Sequence, residues 1–411
     1  MEPIAGRSLA RSQEYLARAR HVIPSCTQTF SKGPTQFVQG VAPLFLERGR
    51  GSHVWDVDGN EYVDYLMALG PIVLGYDDPD VVAAVQRQLA DGVTFSLPHP
   101  LEVEVAETLA KVVPCAEMVR FGKNGSDATS GAVRAARAYT GRDVIACSGY
   151  HGWQDWYIGT TTRGRGVPDA VRRLTRTFAY NDLGALERLF AEHPGRIAAV
   201  IMEPVGVVEP ERDFLQRVAA VTHANGAVLI FDEIVTGFRL ALGGAQERFG
   251  VTPDLACFGK AMANGFPLSA VVGRREIMAV FDEIFFSFTF GGEALSLAAA
   301  RATIAKLREK NVIEHLWRQG ARLRDGYNAR ASDCGLGDRT QSVGFPPRTV
   351  LTFHDTSGVE SLPMKSLFQQ EMIKRGILTA GGFTLCYAHS DEDVRCTLEA
   401  CGDALGILAR A

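Results

Sequence analysis

The feature that most constrains the fold of this 411-residue chain is a series of short, almost wholly apolar runs between residues 66 and 300. These runs are rich in β-branched residues and alternate with segments that have the spacing of amphipathic helices. Strands that are apolar at every position are typical of parallel sheets covered by helices on both faces. The pattern therefore predicts an α/β fold in which residues 66–300 form a large domain around a mostly parallel sheet. The predicted strands are Met118–Phe121, Asp143–Cys147, Ile197–Met202, Ala227–Phe231, Leu255–Phe258 and Ser269–Val272.

The two flanking segments, 1–65 and 301–411, predict a second, smaller α+β domain built from both of them. In the first segment, a predicted helix over Ser12–His21 precedes an antiparallel pair formed by Leu44–Glu47 and His53–Val57. The second segment is predicted to form helices around one strand, Thr349–Phe353. The predicted helices of this segment are Arg301–Lys310, Val312–Ala331, Met364–Lys374 and Asp391–Ala409.

The charge of the chain indicates which classes of partner to exclude, and its cysteines indicate the compartment. The chain has 43 basic and 47 acidic residues, a net charge of −4, and no run of like charge, which argues against nucleic acid or an anionic membrane as its main partner. No apolar stretch approaches the length of a membrane span, and the first twenty residues lack the apolar core of a signal peptide. The eight cysteines are scattered, several in apolar segments, so we expect reduced thiols and a cytoplasmic protein.

The first candidate for chemistry is the turn that contains Gly125 and Ser126, between a predicted strand and a predicted helix. Backbone N–H groups and a hydroxyl at a helix start suit a phosphate. The alternative is an ordinary helix cap by Ser126 or Asp127, which needs the same residue types. The turn does not match the nucleoside-triphosphate loop, and no Gly-x-Gly-x-x-Gly turn follows the first strands.

Two further candidates follow apolar strands. Asp232 ends the run 227–231, where ligands bind in open α/β sheets, and a desolvated carboxylate there needs a cationic or donor partner. The alternative is a surface acid that caps the next turn. Lys260 ends the run 255–258 among small and apolar residues, which favour a neutral amine able to condense with aldehydes. The alternative is a merely solvated lysine.

Taken in order, these three features predict a site for pyridoxal 5′-phosphate. The cofactor needs an anion cradle, an acid that keeps its pyridine nitrogen protonated, and an amine for the Schiff base. The helix start at Gly125, the strand-end Asp232 and the strand-end Lys260 supply these groups.

Two longer motifs resemble those of a known family. The segments 231–239 (FDEIVTGFR) and 258–267 (FGKAMANGFP) resemble the class III aminotransferases of fold type I. Within that class the chain is most similar to the glutamate-1-semialdehyde 2,1-aminomutases. The resemblance extends from about residue 18 to 408 and implies a large domain with a seven-stranded, mostly parallel sheet. Further matching motifs are Gly70–Gly75, Tyr139–Asp143, Gly149–Gly152, Tyr180–Leu183 and Ala388–Ser390.

The resemblance implies a role for each matching site residue. Gly125 and Ser126 would bind the cofactor phosphate, Asp232 would pair with the pyridine nitrogen, and Lys260 would form the internal aldimine. Tyr150 would stack on one face of the ring and take part in catalysis, unless it is a core aromatic. The opposite face would be covered by Ile234.

Other positions are implied less directly. Thr289 matches a threonine that reaches the phosphate from the neighbouring subunit, which implies a homodimer with shared active sites; otherwise Thr289 is a strand residue. Glu203 ends a strand and would orient Asp232 or the substrate, with a structural role as the alternative. His151 and Arg239 are assigned to packing and ion pairing. No metal ligands are predicted.

Two departures from the aminomutase pattern affect the predicted reaction, and a third has no assigned effect. Lys32 stands where that group has an arginine that receives the substrate carboxylate, and residues 379–384 contain no acid where it has a glutamate. Glu293 replaces a usual asparagine, with no predicted role. Because an aminomutase must retain its intermediate, the loss of the arginine and of the glutamate favours an aminotransferase acting between an amino donor and a small aldehyde or ketone.

Other functions remain open at this point. An aminomutase is the main alternative, and an amino-acid racemase or epimerase is a third possibility within the fold. Outside enzymology, the chain could be a regulatory or structural protein that binds the cofactor without turnover, although the Asp232 and Lys260 pair argues against this.

Overall fold

The computed structural model describes residues 7–411, which form two compact units. The first unit combines the chain up to Pro79 with Glu314–Ala411, and the second is Asp80–Ile313. The domain limits predicted at 65/66 and 300/301 fall inside these units, and that division stays a prediction.

The helices and strands are numbered along the chain. The α-helices are α1 (Ala10–Val22), α2 (Pro79–Asp91), α3 (Pro100–Val112), α4 (Gly125–Thr140), α5 (Asp155–Ile158), α6 (Asp169–Arg172), α7 (Leu183–Glu192), α8 (Phe214–Ala224), α9 (Ala245–Phe249), α10 (Arg275–Met278), α11 (Ala294–Glu309), α12 (Val312–Asp333), α13 (Leu362–Lys374) and α14 (Asp391–Leu408). The strands are β1 (Leu46–Arg50), β2 (His53–Asp56), β3 (Glu61–Asp64), β4 (Met118–Gly122), β5 (Val144–Ser148), β6 (Thr175–Thr177), β7 (Ile197–Met202), β8 (Val228–Asp232), β9 (Leu255–Phe258), β10 (Ser269–Gly273), β11 (Thr340–Phe345), β12 (Arg348–Phe353), β13 (Ile377–Leu378) and β14 (Gly382–Thr384).

The second unit is built on a seven-stranded sheet in the order β4-β10-β9-β8-β7-β5-β6. Strands β9, β8, β7, β5 and β6 are parallel to one another, and β10 is antiparallel to both β4 and β9. Every residue of β5, β7, β8, β9 and β10 is buried, as expected for strands covered on both faces. The predicted α/β fold with a mostly parallel seven-stranded sheet is therefore confirmed.

The strand directions bring three chain segments to one edge of this sheet. Because β4 and β9 are both antiparallel to β10, they run in the same direction as β8. Their carboxyl ends are Gly122, Asp232 and Phe258. The residues that follow these strands therefore emerge at the same edge, which is where ligands bind in open α/β sheets.

The first unit contains two smaller sheets. In the four-stranded sheet, β1, β2 and β3 are antiparallel neighbours, and β13 pairs parallel with β3 through Ile377 and Val63. The predicted antiparallel pair over 44–57 is confirmed by β1 and β2. The three-stranded sheet has the order β11-β12-β14 and is antiparallel throughout.

The first unit also contains a left-handed turn just after β3. Met67, Ala68 and Leu69 have φ values of 46°, 53° and 73°, and Gly70 follows at 105°. Residues with a side chain are disfavoured in this region by roughly 1–2 kcal/mol each. The turn is held by hydrogen bonds from Leu69 N to Leu66 O (2.9 Å) and from Gly70 N to Met67 O (2.8 Å).

Within residues 7–411, no helix combines the length and the apolar character that crossing a membrane requires.

Candidate active site

The N-terminus of α4 forms one side of the candidate site. Asn124 caps the helix, because its side chain accepts a hydrogen bond from Asp127 N (3.1 Å) while Asp127 Oδ2 accepts from Asn124 N (2.9 Å). The alternative that Ser126 or Asp127 is the cap residue is wrong, since Ser126 lies inside the first turn. The backbone N–H groups of Gly125 and Ser126 have no acceptor within the described part of the chain. Two such donors at a helix start can bind an anion.

Two glycines allow other segments to approach this helix start closely. A Cβ atom at Gly152 would lie 2.1 Å from Ser126 Oγ, and Gly152 has a φ of 102° that favours glycine. Ser126 Oγ in turn accepts a hydrogen bond from Trp153 N (3.2 Å). The segment 150–153 is thereby fixed against the first turn of α4.

Asp232, the last residue of β8, is buried and has two donors of its own. Only 4% of its surface is exposed. His151 Nδ1 lies 2.8 Å from Asp232 Oδ2, and Ile234 N donates to Asp232 Oδ1 (3.1 Å). Asp232 is therefore a desolvated carboxylate with a defined orientation, and the alternative of a surface acid is wrong.

His151 connects Asp232 to the end of β5. Its Nε2 atom lies 3.1 Å from the carbonyl oxygen of Ser148, which can only accept, so Nε2 carries a proton. The other ring nitrogen, Nδ1, lies against Asp232 Oδ2. The ion pairing expected of His151 is thus directed at the proposed catalytic acid.

Ile234 joins the three predicted parts of the site. A Cβ atom at Gly125 would lie 3.1 Å from Ile234 Cγ2, and one at Gly259 would lie 3.0 Å from Ile234 Cδ1. The side chain of Ile234 therefore contacts both the start of α4 and the residue before Lys260. The structure brings the helix start, the strand-end acid and the strand-end lysine together around it.

Lys260 begins a short 3-10 helix, Lys260–Ala263, directly after β9. It is half-buried, while Ala261, Met262 and Ala263 are fully buried. Its φ of 36° lies in the left-handed region, and strained backbone of this kind is concentrated at functional sites. The apolar surroundings expected from the sequence are therefore present.

Tyr150 and Glu203 lie beside this group. Tyr150 is 62% exposed, so the alternative of a core aromatic is wrong, and its ring packs edge-to-face on Tyr157 at 5.5 Å. Tyr150 N donates to Glu203 Oε2 (3.0 Å). Burial raises the pKa of Glu203, and Asp232 raises it further while His151 and Lys260 act in the opposite direction. Glu203 thus positions the Tyr150 backbone and lies within electrostatic range of the acid and the lysine.

Glu233 follows Asp232 in sequence but has a different role. It is fully buried, and burial raises its pKa. It accepts hydrogen bonds from Ala245 N (2.7 Å), Gln246 N (2.9 Å) and the Thr236 hydroxyl. All of these partners lie in residues 236–246, so Glu233 fixes the loop that follows β8.

Two predicted site residues lie in other segments of the chain. Lys32 is exposed and lies in a 3-10 turn of the first unit, Phe30–Lys32. Thr289 is exposed in a turn between Phe288 and Gly292, so the alternative of a strand residue is wrong. Glu293, which had no predicted role, caps α11 and forms an ion pair with Lys123 (3.0 Å).

Within residues 7–411 there is no cluster of three or more His, Cys, Asp or Glu side chains that could hold a metal ion.

Comparison with known proteins gives a consistent result. The family model for aminotransferase class-III matches residues 37–336. The chain is 37% identical over 392 residues to glutamate-1-semialdehyde 2,1-aminomutase of Persephonella marina, covering 89% of this chain and 91% of the relative. It is 35% identical over 408 residues to 3-aminobutyryl-CoA aminotransferase of Cloacimonas acidaminovorans, covering 97% of both.

A solved structure is also similar over nearly the whole chain. The PLP internal aldimine form of the FumI protein of Sphingopyxis sp. MTA144 superposes with a TM-score of 0.91 at 32% identity, covering 97% of each chain. The family match spans well over half of the sequence, and both curated relatives exceed 30% identity along most of it. The chain therefore belongs to the class III aminotransferases.

Proposed function

We propose that this protein is an aminotransferase that moves an amino group from an amino donor to a small aldehyde or ketone. As a class III aminotransferase it is a pyridoxal 5′-phosphate-dependent enzyme. The observation that carries the assignment of its site is the position of Ile234, which contacts both Gly125 and Gly259 while its backbone N–H donates to Asp232. One residue thus adjoins the proposed phosphate cradle, the proposed acid and the proposed lysine.

The residues present fit the cofactor. The acceptor-free N–H groups of Gly125 and Ser126 suit its phosphate, and the absence of a side chain at Gly125 leaves room beside Ile234. Buried Asp232 suits a protonated pyridine nitrogen, because a desolvated carboxylate is stabilised by a cationic partner. The exposed ring of Tyr150 and the side chain of Ile234 would cover the two faces of the cofactor ring.

In the proposed mechanism each side chain has a separate task. Bound pyridoxal phosphate supplies an electron sink for the substrate carbanion. Lys260 Nζ would hold the cofactor through its aldehyde and would serve as the base that moves a proton at the substrate Cα. Asp232 would hold the proton on the pyridine nitrogen, and His151 Nδ1, 2.8 Å from Asp232 Oδ2, would fix the carboxylate orientation. Glu203 holds the Tyr150 backbone, with a substrate contact as its second proposed role.

Two positions support transfer rather than intramolecular exchange. Lys32, proposed to receive the substrate carboxylate, offers a point charge in place of the bidentate arginine of the aminomutases. Residues 379–384 contain no carboxylate that could help to retain an intermediate. An aminotransferase must release its product and admit a second substrate, so weaker retention suits it. The aminomutase remains the second candidate because a similar relative carries that name.

The test is a half-reaction with purified holoenzyme, followed at the cofactor absorption band. Adding an amino donor alone is expected to convert the cofactor to its amine form, and a carbonyl acceptor should restore the original spectrum. Lys260→Ala should abolish the covalent absorption band and turnover, whereas Lys310→Ala, an exposed lysine elsewhere, should not.

Two controls separate the alternatives. Efficient isomerisation of a semialdehyde with no amino donor would contradict the transferase and support an aminomutase. Deuterium exchange at the substrate Cα without release of a keto acid would indicate a racemase or epimerase.

We further propose that the active enzyme is a homodimer. Large apolar side chains are exposed on two adjoining segments of the second unit, and a main-chain hydrogen bond from Ala294 N to Val93 O (2.9 Å) joins these segments. We call this the aromatic surface; it comprises Phe95, Leu97, Val103, Phe285, Phe288 and Phe290. Apolar surface of this kind marks an interaction site. Thr289 lies within it and would reach the partner's cofactor phosphate.

We also infer a cytoplasmic location for the protein. Within residues 7–411 none of the eight cysteines forms a disulfide, and five of them are buried, which suits a reducing compartment.

A further inference from the structure

Residues 159–176 of the second unit, which we call the arginine segment, have a charge opposite to that of the whole chain. The segment contains five arginines and one acid, Asp169, so its net charge is +4, whereas the net charge of the chain is −4. Three of the arginines are exposed: Arg163, Arg165 and Arg173. The arginine segment is therefore a local region of positive potential, which attracts anions.

A fourth arginine of the segment, Arg172, keeps it compact. Arg172 Nε donates to Val167 O (3.0 Å), and the same guanidinium donates to the carbonyl oxygen of Gly164. The side chain also packs against Gly159, where a Cβ atom would lie 3.1 Å from Arg172 Cγ. Because these contacts hold Gly164 in place, they also fix the backbone of the two exposed arginines on either side of it.

The donors of two exposed arginines are not used within the chain. The side chains of Arg165 and Arg173 form no hydrogen bond and no ion pair with any residue from 7 to 411, and Asp169 lies 3.9 Å from Arg172 instead. In the same part of the chain, the backbone N–H groups of Arg165 and Gly166 have no acceptor. Gly166 has a left-handed φ of 93°. Successive N–H groups in such turns bind anions, phosphate among them.

The arginine segment begins beside the candidate active site. The rings of Tyr150 and Tyr157 pack edge-to-face at 5.5 Å, and the segment starts two residues after Tyr157. A Cβ atom at Gly164 would lie 3.1 Å from Gly159 Cα. Gly164 and the two arginines that flank it are thus folded back onto the start of the segment, next to Tyr157.

We propose that the arginine segment binds a phosphate or diphosphate group of the substrate, whose amine or carbonyl group reacts beside Tyr150. This rests on the proposed function, because it takes Tyr150 to mark the reacting end of the site. Planar guanidinium groups bind phosphate oxygens in pairs, which suits arginine to this ligand. A phosphate monoester also carries about two negative charges near pH 7, so it balances the segment better than a carboxylate does.

The first test measures binding of inorganic pyrophosphate to the holoenzyme by isothermal titration calorimetry at fixed ionic strength. The holoenzyme is used because the bound cofactor would occupy the cradle at Gly125. We expect the double arginine variant, Arg165→Gln with Arg173→Gln, to bind pyrophosphate at least about tenfold more weakly than the wild type. The matched control is Arg87→Gln with Arg217→Gln, which removes two exposed arginines from α2 and α8 and should leave the binding unchanged.

The second test determines whether the bound group belongs to the substrate. It compares aminohexyl phosphate with aminohexanol as amino donors in the half-reaction, because the two compounds differ only in the phosphate. We expect kcat/KM to be at least about tenfold higher for the phosphate ester, and the double arginine variant to lose most of this preference. Pyrophosphate binding without such a preference would overturn the assignment to the substrate.

Pyrophosphate binding needs no turnover, so the two proposals fail separately. Pyrophosphate binding that depends on Arg165 and Arg173, with no half-reaction from any amino donor, would contradict the proposed function and support the phosphate site. A rapid half-reaction with aminohexanol, together with equal pyrophosphate binding by the wild type and the double arginine variant, would overturn the phosphate site and leave the proposed function intact.

Discussion

His151 is expected to act on the reaction through Asp232, the residue that it holds in place. It lies between Ser148 O (3.1 Å) and Asp232 Oδ2 (2.8 Å), and it is almost completely buried. Replacing it with Gln would leave Asp232 with one fixed donor, the N–H of Ile234. We expect His151→Gln to lower kcat by up to about a hundredfold, because a small displacement of a catalytic group is that costly. The absorption spectrum of the bound cofactor and the pH profile of kcat should also change.

His223 provides a matched control for this prediction. It also pairs with a buried acid of the second unit, Asp254, at 2.9 Å. His223→Gln should alter stability and leave the cofactor spectrum and the kcat pH profile as in the wild type. Equal changes in both variants would show that His151 acts only on stability.

The buried side chain of His389 leads us to expect that the folded protein loses stability in mild acid. Burial lowers its pKa to about 4, from 6.5. Its Nδ1 accepts from Cys386 N (2.9 Å) and its Nε2 donates to Asp64 O (3.1 Å), so a second proton would remove an acceptor. The unfolded chain binds this proton below about pH 6.5 and the folded chain does not. We therefore expect the free energy of unfolding to fall by up to about 3 kcal/mol between pH 6.5 and 4.

The measurement is urea unfolding across this pH range, with His389→Gln expected to flatten the dependence. His53 has the opposite sign, because a hydrogen bond to Asp393 raises its pKa. Its contribution is complete below its unfolded pKa and is lost as the pH rises through the folded value. His53→Gln should therefore leave the acid loss in place, and an acid loss that survives in His389→Gln would contradict the assignment.

At the scale of residues, the sequence predicted which charged residues end the strands, but not which side chains they contact. Asp232 and Lys260 could be predicted because an apolar strand that ends in a charged residue is visible in one dimension. The helix cap could not be, since Asn124, Ser126 and Asp127 all have suitable side chains and only backbone geometry selects Asn124. The contact of His151 with Asp232 joins residues that are 81 positions apart, so no local sequence pattern could predict it.

The N-terminus of α11 gives a prediction at the scale of elements. Glu293 accepts hydrogen bonds from Leu295 N (2.7 Å) and Ser296 N (3.2 Å) and pairs with Lys123. Partial burial alone would raise the pKa of Glu293, but hydrogen bonds from Ser296 and Lys123 outweigh it and lower the pKa. We expect Glu293→Gln to lower the free energy of unfolding by about 1 kcal/mol, because it weakens both the cap and the ion pair.

A double-mutant cycle in urea separates these two effects. Lys123→Met and Glu293→Gln should together cost less than the sum of the single changes, because either one removes the ion pair. Glu276→Gln is the control, since its pairing with Arg274 is exposed and should contribute little. Strict additivity of Lys123→Met and Glu293→Gln would exclude a coupled pair.

Among the strands, those with a strong apolar run were predicted, whereas β3, β6, β11, β13 and β14 were not. Strand β6 has three residues with the sequence Thr-Arg-Thr, and β13 has two. These strands exist because a neighbouring strand offers a free edge, as β3 does for β13. Helix α11 begins at Ala294, earlier than the predicted 301, because Glu293 supplies a cap that the apolar spacing did not reveal.

At the scale of the whole molecule, the aromatic surface predicts the state of assembly. Phe285 is 78% exposed and Phe290 is 59% exposed, on either side of Thr289. We expect the double change Phe285→Asp and Phe290→Asp to shift the protein from dimer to monomer, because buried charge opposes association. Light scattering after size-exclusion chromatography measures the mass. The affinity for pyridoxal phosphate should fall in parallel if Thr289 completes the neighbouring site.

Val208→Asp is the control, because Val208 is also highly exposed (62%) but lies in another segment. It should remain dimeric. A wild-type protein that is monomeric at micromolar concentration would refute the proposed assembly.

The pairing of β13 with β3 has a consequence for synthesis on the ribosome. Ile377 is hydrogen-bonded into register with Val63, so the edge of β3 cannot be covered until about three hundred more residues have been translated. At roughly 5–20 residues per second, the nascent edge stays open for between about 15 s and 1 min. Asp80–Ile313 is translated within that interval and is complete before β13 emerges, so the second unit can fold while the edge of β3 is still uncovered and able to pair with other chains.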